Sequence, residues 1–539
     1  MQSMCKRLRN SRKNIDICGL HGGSAALFVA RLQKERGGSL CCIVAMDDLL
    51  DSLAQDISLF TDVPVLTYPA FEIAPYAELA PDPVTVSNRL ATLYHLQENI
   101  TPCIVVTSAE AALRRTLPPG VLASHCELVM AGEETDRDAL VAALMDNGYQ
   151  LCDLVQQAGD VAVRGGIVDL FPPSYSQEVN GPLRLDFFGD TVESIRVFDP
   201  LSQRSLQELE EAVLLPATDI LFPDKTISND AALFEHVGLA LSWSSQVVEQ
   251  LSNRIRKPGI EFFLPLLYQD PEPQTIFAYL PENTSCILHD PAAVSRKISL
   301  VWERILANHE AASGDRPVLS PESLFLGQDE LLQHCCQSLR VNLCTLPDPD
   351  APEAPEQVRV GDHLLLQQGI DLQRKKRGVL APLADRLISW QQAGEQVFLA
   401  CRSERQVGHF EEMLSGYSIA TRRVEAPLDT AVRGNELLLV ARPLSRGFDL
   451  PGEQLHVLSA AELFGEKRLQ VARKNKRRQR GAEPVAVEEL AVGDIVVHRD
   501  HGLGSFQGLV NMEFAGQCSD FMELQFRDGD KLYLSLIHI

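Results

Sequence analysis

Apolar and polar positions in the first third of the chain alternate between two kinds of segment. "SLCCIVAMD" (39–47) predicts a buried strand, and "DLLDSLAQDISLF" (48–60) a helix after it. "PVLTYPA" (64–70) reads as a strand end. In "VSNRLATLYHLQ" (86–97), Leu90, Leu93, Tyr94 and, less regularly, Leu96 fall at helical spacing. "PCIVVTSAEAALRRTLPP" (102–119) predicts a strand, a Ser108 cap and a short helix ended by prolines. This strand–helix–strand–helix order implies a parallel sheet with helices on its faces.

The texture changes near residue 127. "EETDRDALVAALMDNGYQ" (133–150) predicts one helix, capped by Thr135 or Asp136 and stopped at Asn147-Gly148. Short alternating strands follow in "DVAVRGGIVDLF" (160–171), "LRLDFF" (183–188) and "VESIRVF" (192–198), with a tight hairpin turn at Gly189-Asp190. Residues 127–212 therefore read as an α+β insert, and 213–335 return to helices and mixed elements. "TLPDPDAPEAPEQ" (345–357) is Pro- and Asp-rich, so 336–359 reads as a linker. A helix, a strand and a helix in 382–416 open a second small α/β domain spanning 360–465. From 487 a compact all-β module begins, where Gly493, Gly502, Gly504 and Gly508 punctuate strands of about five residues. The whole is a multi-domain α/β protein with no internal repeat.

Composition narrows the setting. At 539 residues the chain has room for about three to four domains. Its apolar content of 45% and charged content of 23% are ordinary for a globular protein. No run of about 18 apolar residues predicts a membrane span, and the basic N-terminus lacks a clean secretion core. The 13 cysteines include no C-x-x-C pair; Cys41–Cys42 and Cys335–Cys336 are adjacent and suit neither a disulfide framework nor zinc. A reduced, cytoplasmic compartment fits this usage. A net charge of −24 excludes a global phosphate binder, because duplex DNA would be repelled by most of the surface.

Four stretches carry candidate chemistry. "GLHGGSAALFVARL" (19–32) stands where a nucleotide-binding chain places its phosphate loop. Gly19, Gly22 and Gly23 are in place, but Ser24, Ala25 and Ala26 fill the Gly-Lys-Ser/Thr slots. Ala25 supplies no positive charge and Ala26 no magnesium hydroxyl, so a glycine-rich turn before a helix is the favoured reading. In the insert, strand parity puts Leu183, Leu185, Phe187, Ile195 and Val197 on one face and Arg184, Asp186, Phe188 and Arg196 on the other. Arg164 joins this second face from a neighbouring strand. Arg beside an exposed aromatic is interface chemistry, although pattern alone favours a polar solvent face with Phe188 an incidental exposed apolar residue. "RKNKRRQR" has six basic residues in eight: Arg473, Lys474, Lys476, Arg477, Arg478 and Arg480. It reads either as a solvated helical linker (466–486) or as a DNA-backbone contact. His498 and His501 lack the further ligands a metal site needs. No nucleophile–base constellation emerges from spacing.

Several stretches together resemble the bacterial transcription-repair coupling factor family. They are "TYPAFEIAPYAELAPDPVTVSNRLATLYHL" (67–96), "VVTSAEAALRRTLPP" (105–119), "VRGGIVDLFPP" (163–173), "LRLDFFGDTVESIRVFDPLSQRS" (183–205), "LSRGFDLPGEQLHVLSAAELFG" (444–465) and "GDIVVHRDHGLGSFQGL" (493–509). The insert stretches also resemble the excision-repair protein UvrB, whereas the last two resemble the coupling factors alone. The resemblance implies a UvrB-like module to about residue 335, made of parts 1–126 and 213–335. Its insert would bind UvrA through Arg164, Arg184 and Phe188. It further implies an RNA-polymerase-interacting domain at 487–539, a Tudor-like small β-barrel. That domain would dock on the polymerase β subunit through Val496, Val497, His498, Arg499, His501 and Gly502.

The family continues into an ATP- and magnesium-dependent motor that translocates on double-stranded DNA, and those motifs do not occur in this sequence. The ending "KLYLSLIHI" departs from the family and resembles translated adapter DNA, so a truncated assembly is expected. The resulting expectation is an attachment module that hydrolyses no ATP and binds UvrA constitutively. The rivals are a UvrB-type ATP-dependent damage-loading helicase subunit and a free-standing polymerase-binding regulator.

Overall fold

The computed structural model describes residues 1–98, 102–174, 181–223, 231–346, 354–373, 381–430, 434–464, 495–498, 502–514, 517–526 and 531–535. They fall into two compact units, Met1–Gly465 and Glu466–Ile539.

The first unit is organised around a seven-stranded sheet. Its order is Glu356–Gln357, Ile15–Cys18, Arg340–Cys344, Ser285–His289, Leu40–Val44, Ile104–Ser108, Val65–Tyr68, with every pair parallel. Leu40–Val44 and Ile104–Ser108 are buried at every position, as helices on both faces require. Alternate residues serve opposite cores. Cys41, Ile43 and Val105 pack with Leu90, Leu93 and Ile298, while Cys42, Val44 and Val106 pack with Phe28, Leu32 and Ile57. The helices Gly23–Arg36, Asp48–Ser58 and Pro83–Glu98 supply those layers.

Two strands from residues 285–344 lie between the first and second strands of the N-terminal segment. Segments 1–126 and 213–344 are thus halves of one sheet. The linker expected over 336–359 is corrected here, because it contributes two strands. Val341 and Leu343 are buried on both sides of Asn342, and Val341 pairs with Ile15 and with Ile287. The proline-rich text around 345–357 masked this short alternation.

The insert stands on a two-stranded antiparallel stem, Glu127–Met130 with Glu211–Leu214, which pairs Leu214 with Glu127 and Glu211 with Met130. Helix Arg137–Asp146 begins at Asp136, whose carboxylate accepts from the Asp138 and Ala139 amides at 3.0 and 2.9 Å, and it ends at Asn147. Leu140 and Leu144 pack this helix onto a six-stranded sheet. Its order is Ser205–Leu209, Thr191–Phe198, Leu183–Phe188, Ile167–Leu170, Asp160–Arg164, Gln150–Leu151. The hairpin turn falls at Gly189-Asp190, with Phe188 opposite Thr191.

A second parallel sheet follows, in the order Thr421–Val424, Leu437–Val440, Gln396–Ala400, Leu455–Ser459, with Phe448–Leu450 antiparallel at its edge. Helices Ala381–Gln392 and Glu404–Ser415 cover one face. On the other face Phe398, Val440, Phe448 and Val457 share a core with Leu27 and Leu59 of the first domain. The two α/β domains therefore meet through a common apolar layer.

The second unit is an antiparallel ladder in the order Ile495–His498, Gly502–Phe514, Gln517–Phe526, Lys531–Ser535. The short strands expected here are corrected in one respect. Gly504 and Gly508 lie inside a single 13-residue strand rather than between strands. The register shifts between Phe506 and Gly508, and Gly508 has φ +124°, so this glycine marks a bulge.

Candidate binding surfaces and the glycine loop

The outer face of the insert sheet is a network of charged pairs with one bare aromatic. Backbone register sets Asp169 beside Arg184, and Arg184 beside Arg196. The like charges of the two arginines are drawn apart by separate carboxylates. Arg184 Nε and Nη2 donate to the two Asp169 oxygens at 2.7 and 2.9 Å, and Arg196 Nη1 lies 3.2 Å from Asp186 Oδ2. Asp169 is 2% exposed, and the Arg184 guanidinium also lies 4.8 Å from the centre of the Phe198 ring. The Asp169 hydrogen bonds push the Arg184 pKa upward. Arg164 donates to the Asp153 carbonyl at 2.5 Å. Phe188, at the hairpin tip, is 76% exposed, and Leu201 and Leu206 are exposed near the outer edge of the sheet. The expected residues thus share one face but differ in kind: Arg184 is tied into the fold, and Phe188 is free to be covered.

The glycine loop joins strand Ile15–Cys18 to helix Gly23–Arg36. Anions gather at such a helix start because its first N–H groups lack partners. Here those groups are already satisfied. The Gly23 amide donates to the Arg446 carbonyl at 2.9 Å, Ser24 to the His21 carbonyl at 3.2 Å, and Ala25 to Gly22 at 3.3 Å. Ser24 Oγ accepts from the His21 amide at 2.9 Å and donates back to its carbonyl at 2.6 Å. Ala25 and Ala26 are buried. A Cβ on Gly23 would meet Leu444 Cδ1 at 2.7 Å and the Arg446 carbonyl at 3.1 Å, so the third domain rests directly on the loop.

Further contacts hold the two domains together. Asp56, 4% exposed, accepts from the Ser445 amide at 2.7 Å and from the Ser445 hydroxyl. Burial pushes its pKa up to about 6, against the opposing pull of the Ser445 hydrogen bonds. Arg31 Nη1 lies 2.7 Å from Glu453, which also receives the N-terminal ammonium at 3.1 Å. Burial acts to raise the Glu453 pKa, but Arg31, the Gln2 amide and the terminus outweigh it and hold it low. None of these partners is announced by sequence spacing, since Asp56 and Ser445 lie hundreds of residues apart.

The signature "TYPAF…SNRL" also resolves into packing. The Arg89 guanidinium sits 4.0 Å from the Tyr68 ring centre and 4.3 Å from that of Phe71, and donates to the Pro69 carbonyl at 2.7 Å. Arg114 packs between Phe71 and Phe262 at 4.5 and 4.7 Å, and burial lowers its pKa to about 10. Asp219, just past the insert, is buried among these charges, and its pKa is raised by burial against the pull of Arg89 and Arg114. This knot ties the stem of the insert to the first sheet.

Val496, Val497 and His498 lie on strand Ile495–His498, and Gly502 opens the strand paired with it. Arg499 and His501 lie outside the described residues, as do the basic positions Arg473, Lys474, Lys476, Arg477, Arg478 and Arg480. No helix among the described residues is long and apolar enough to cross a membrane.

Residues 128–220 match the UvrB interaction domain, and residues 490–538 match the CarD-like/TRCF RID domain. Similar proteins include transcription-repair-coupling factors from Myxococcus xanthus (32% identical), Escherichia coli K12 (29%) and Bacillus subtilis 168 (25%). The matches cover 96%, 96% and 100% of this chain but 44%, 44% and 46% of those relatives. The chain spans less than half the length of the curated relatives it matches. With both domain matches in their places along an almost fully covered chain, it is similar over nearly its whole length to the transcription-repair-coupling factors and matches less than half of each of them.

Proposed function

We propose that this chain is the attachment portion of a transcription-coupled repair factor. Its RID-like unit grips stalled RNA polymerase through the β subunit, and its insert recruits UvrA for nucleotide excision repair. The carrying observation is the outer face of the insert, where Phe188 stands 76% exposed beside a charged network within the residues that match the UvrB interaction domain. A large bare aromatic among arginines has the composition of an interface centre.

In this reading the four-stranded antiparallel ladder of the second unit belongs to a Tudor-like small barrel. Its edge strand Ile495–His498, with Arg499, His501 and Gly502, forms the polymerase contact. The module works in the cytoplasm, takes no nucleotide and performs no catalysis of its own. ATP, magnesium and translocation on double-stranded DNA belong to the motor of the full family member, which displaces the stalled polymerase. The filled glycine loop favours this reading over a UvrB-type helicase subunit.

Capture of purified UvrA by the immobilised chain tests it, with Phe188→Ala as comparison. Capture by the wild type that falls at least severalfold in the variant supports the assignment. Equal capture by both, or none by the wild type, overturns it. Measurable ATP hydrolysis by the purified chain overturns the assignment of a non-catalytic role.

A further inference from the structure

The third domain places a folded peptide on the start of the first domain's nucleotide-type helix. Each residue of "LSRGF" (444–448) has a task there. Leu444 is buried against Gly23, and its carbonyl accepts from Ser459 Oγ at 2.7 Å. Ser445 is held by Asp56 through its amide and its hydroxyl. Arg446 presents its carbonyl to the Gly23 amide, while its side chain lies 3.3 Å from Glu462. The Gly447 amide donates to Glu462 at 2.7 Å, and there is no room for a Cβ at this position, since it would meet the Val457 carbonyl at 2.7 Å. Phe448, fully buried, packs edge-on against Phe60 of the first domain at 6.2 Å.

A phosphate oxygen accepts from the first free N–H groups of a helix. The Arg446 carbonyl oxygen accepts from that same kind of donor, carrying a partial rather than a full negative charge. A neutral acceptor matches a loop that lacks the lysine a phosphate would need. The socket closes on its other side through residues 358–360. Val358 donates its amide to the Cys18 carbonyl at 2.9 Å, and the His21 ring contacts the Val360 carbonyl at 3.3 Å. A Cβ at Gly19 would lie 2.2 Å from the Val358 carbonyl, so the chain passes as close as glycine permits.

We propose that the Gly19–Ser24 loop is a docking socket whose ligand is the chain's own Leu444–Phe448 segment, and that this latch makes the first and third domains move as one body. The loop is then a joint rather than a relic. The third domain acts as a fixed extension of the sheet that carries the insert. This inference goes beyond the attachment reading, because it holds whether or not the insert binds UvrA.

Amide hydrogen exchange on the whole chain tests the latch, comparing wild type with Gly23→Val, which removes the space, and Asp56→Asn, which keeps the shape. In both variants, protection is expected to fall together in segments 19–26 and 444–448, by about tenfold or more. Strands Leu183–Phe188 and Thr191–Phe198 of the insert serve as the internal control and keep their protection. Should Gly23→Val unfold the domain, the control strands and Asp56→Asn still decide the matter. Unchanged protection in Asp56→Asn, or loss in one segment without the other, overturns the proposal. Adding millimolar Mg·ATP to the wild type is expected to leave exchange at 19–26 unaltered. Protection gained there would show that the socket accepts a nucleotide and would also overturn it. Because no arm contains UvrA, failure here and failure of UvrA capture are separate results.

Discussion

Arg184 meets Asp169 side-on, with Nε and Nη2 each on a separate carboxylate oxygen, and Asp169 has almost no other access to solvent. The pair is therefore part of the sheet's support. Removing the arginine strands a buried carboxylate, which costs about 3 kcal/mol. Arg184→Ala is expected to lower the unfolding free energy of the insert by that order in denaturant titrations. Any loss of partner binding in that variant then mixes folding with recognition.

Phe188 offers the cleaner probe. It is 76% exposed at a hairpin tip, so Phe188→Ala is expected to change stability by no more than about 0.5 kcal/mol. Chemical denaturation should superimpose on wild type, while UvrA capture falls. A variant that loses stability as well would place Phe188 in the fold rather than on a surface.

Asp56 gives the latch a pH signature. Its folded pKa of about 6 lies above the ordinary carboxyl value of about 3.9, so the folded state binds the proton more readily than the unfolded chain. Its contribution to stability is therefore fullest below about pH 4, declines as pH rises towards about 6 and is level above that. The wild-type stability minus that of Asp56→Asn should fall by on the order of 2–3 kcal/mol across this window. Denaturant midpoints of both proteins through the window measure it, and parallel curves would contradict the burial of the Asp56 charge.

The strand order makes a topological prediction. Strands Ile15–Cys18 and Leu40–Val44 do not touch, because Arg340–Cys344 and Ser285–His289 lie between them. A fragment ending at residue 212 keeps the first four parallel strands of the chain but loses the two at the centre of the sheet. It is expected to show no cooperative unfolding of its N-terminal sheet, by circular dichroism or calorimetry. A fragment that extends through residue 360 is expected to recover it.

Much of this was legible in local pattern. The apolar run of 39–47, a helix cap at Thr135 or Asp136, the Ser108 cap, the Gly189-Asp190 turn and the in-out parity of 183–188 all follow from interactions within a few residues. What pattern could not show is which strands become neighbours. Val341 reads as part of a linker until Ile15 and Ile287 are set on either side of it. Parity put Arg184 and Phe188 on one face, but only the register of Asp169 shows that one is bound and the other bare. The glycine loop lacked its lysine in plain view. Its occupant, Arg446, stands more than four hundred residues away and contributes a backbone carbonyl, which no side-chain motif encodes. In the last unit Gly508 looked like a strand boundary, because a bulge and a turn use the same residue.

The antiparallel stem under the insert has a mechanical consequence. Its strands enter and leave side by side, with Leu214 opposite Glu127 at one end and Glu211 opposite Met130 at the other. Tension drawing the insert away from the sheet would run along both strands in the same direction, so the hydrogen bonds between them carry little of it. The load would pass through the covalent backbone to both sheet-side ends of the stem, Glu127 and Leu214, at once. The insert is thus borne on a double tether, two strands that share any load and are kept side by side by four facing pairs.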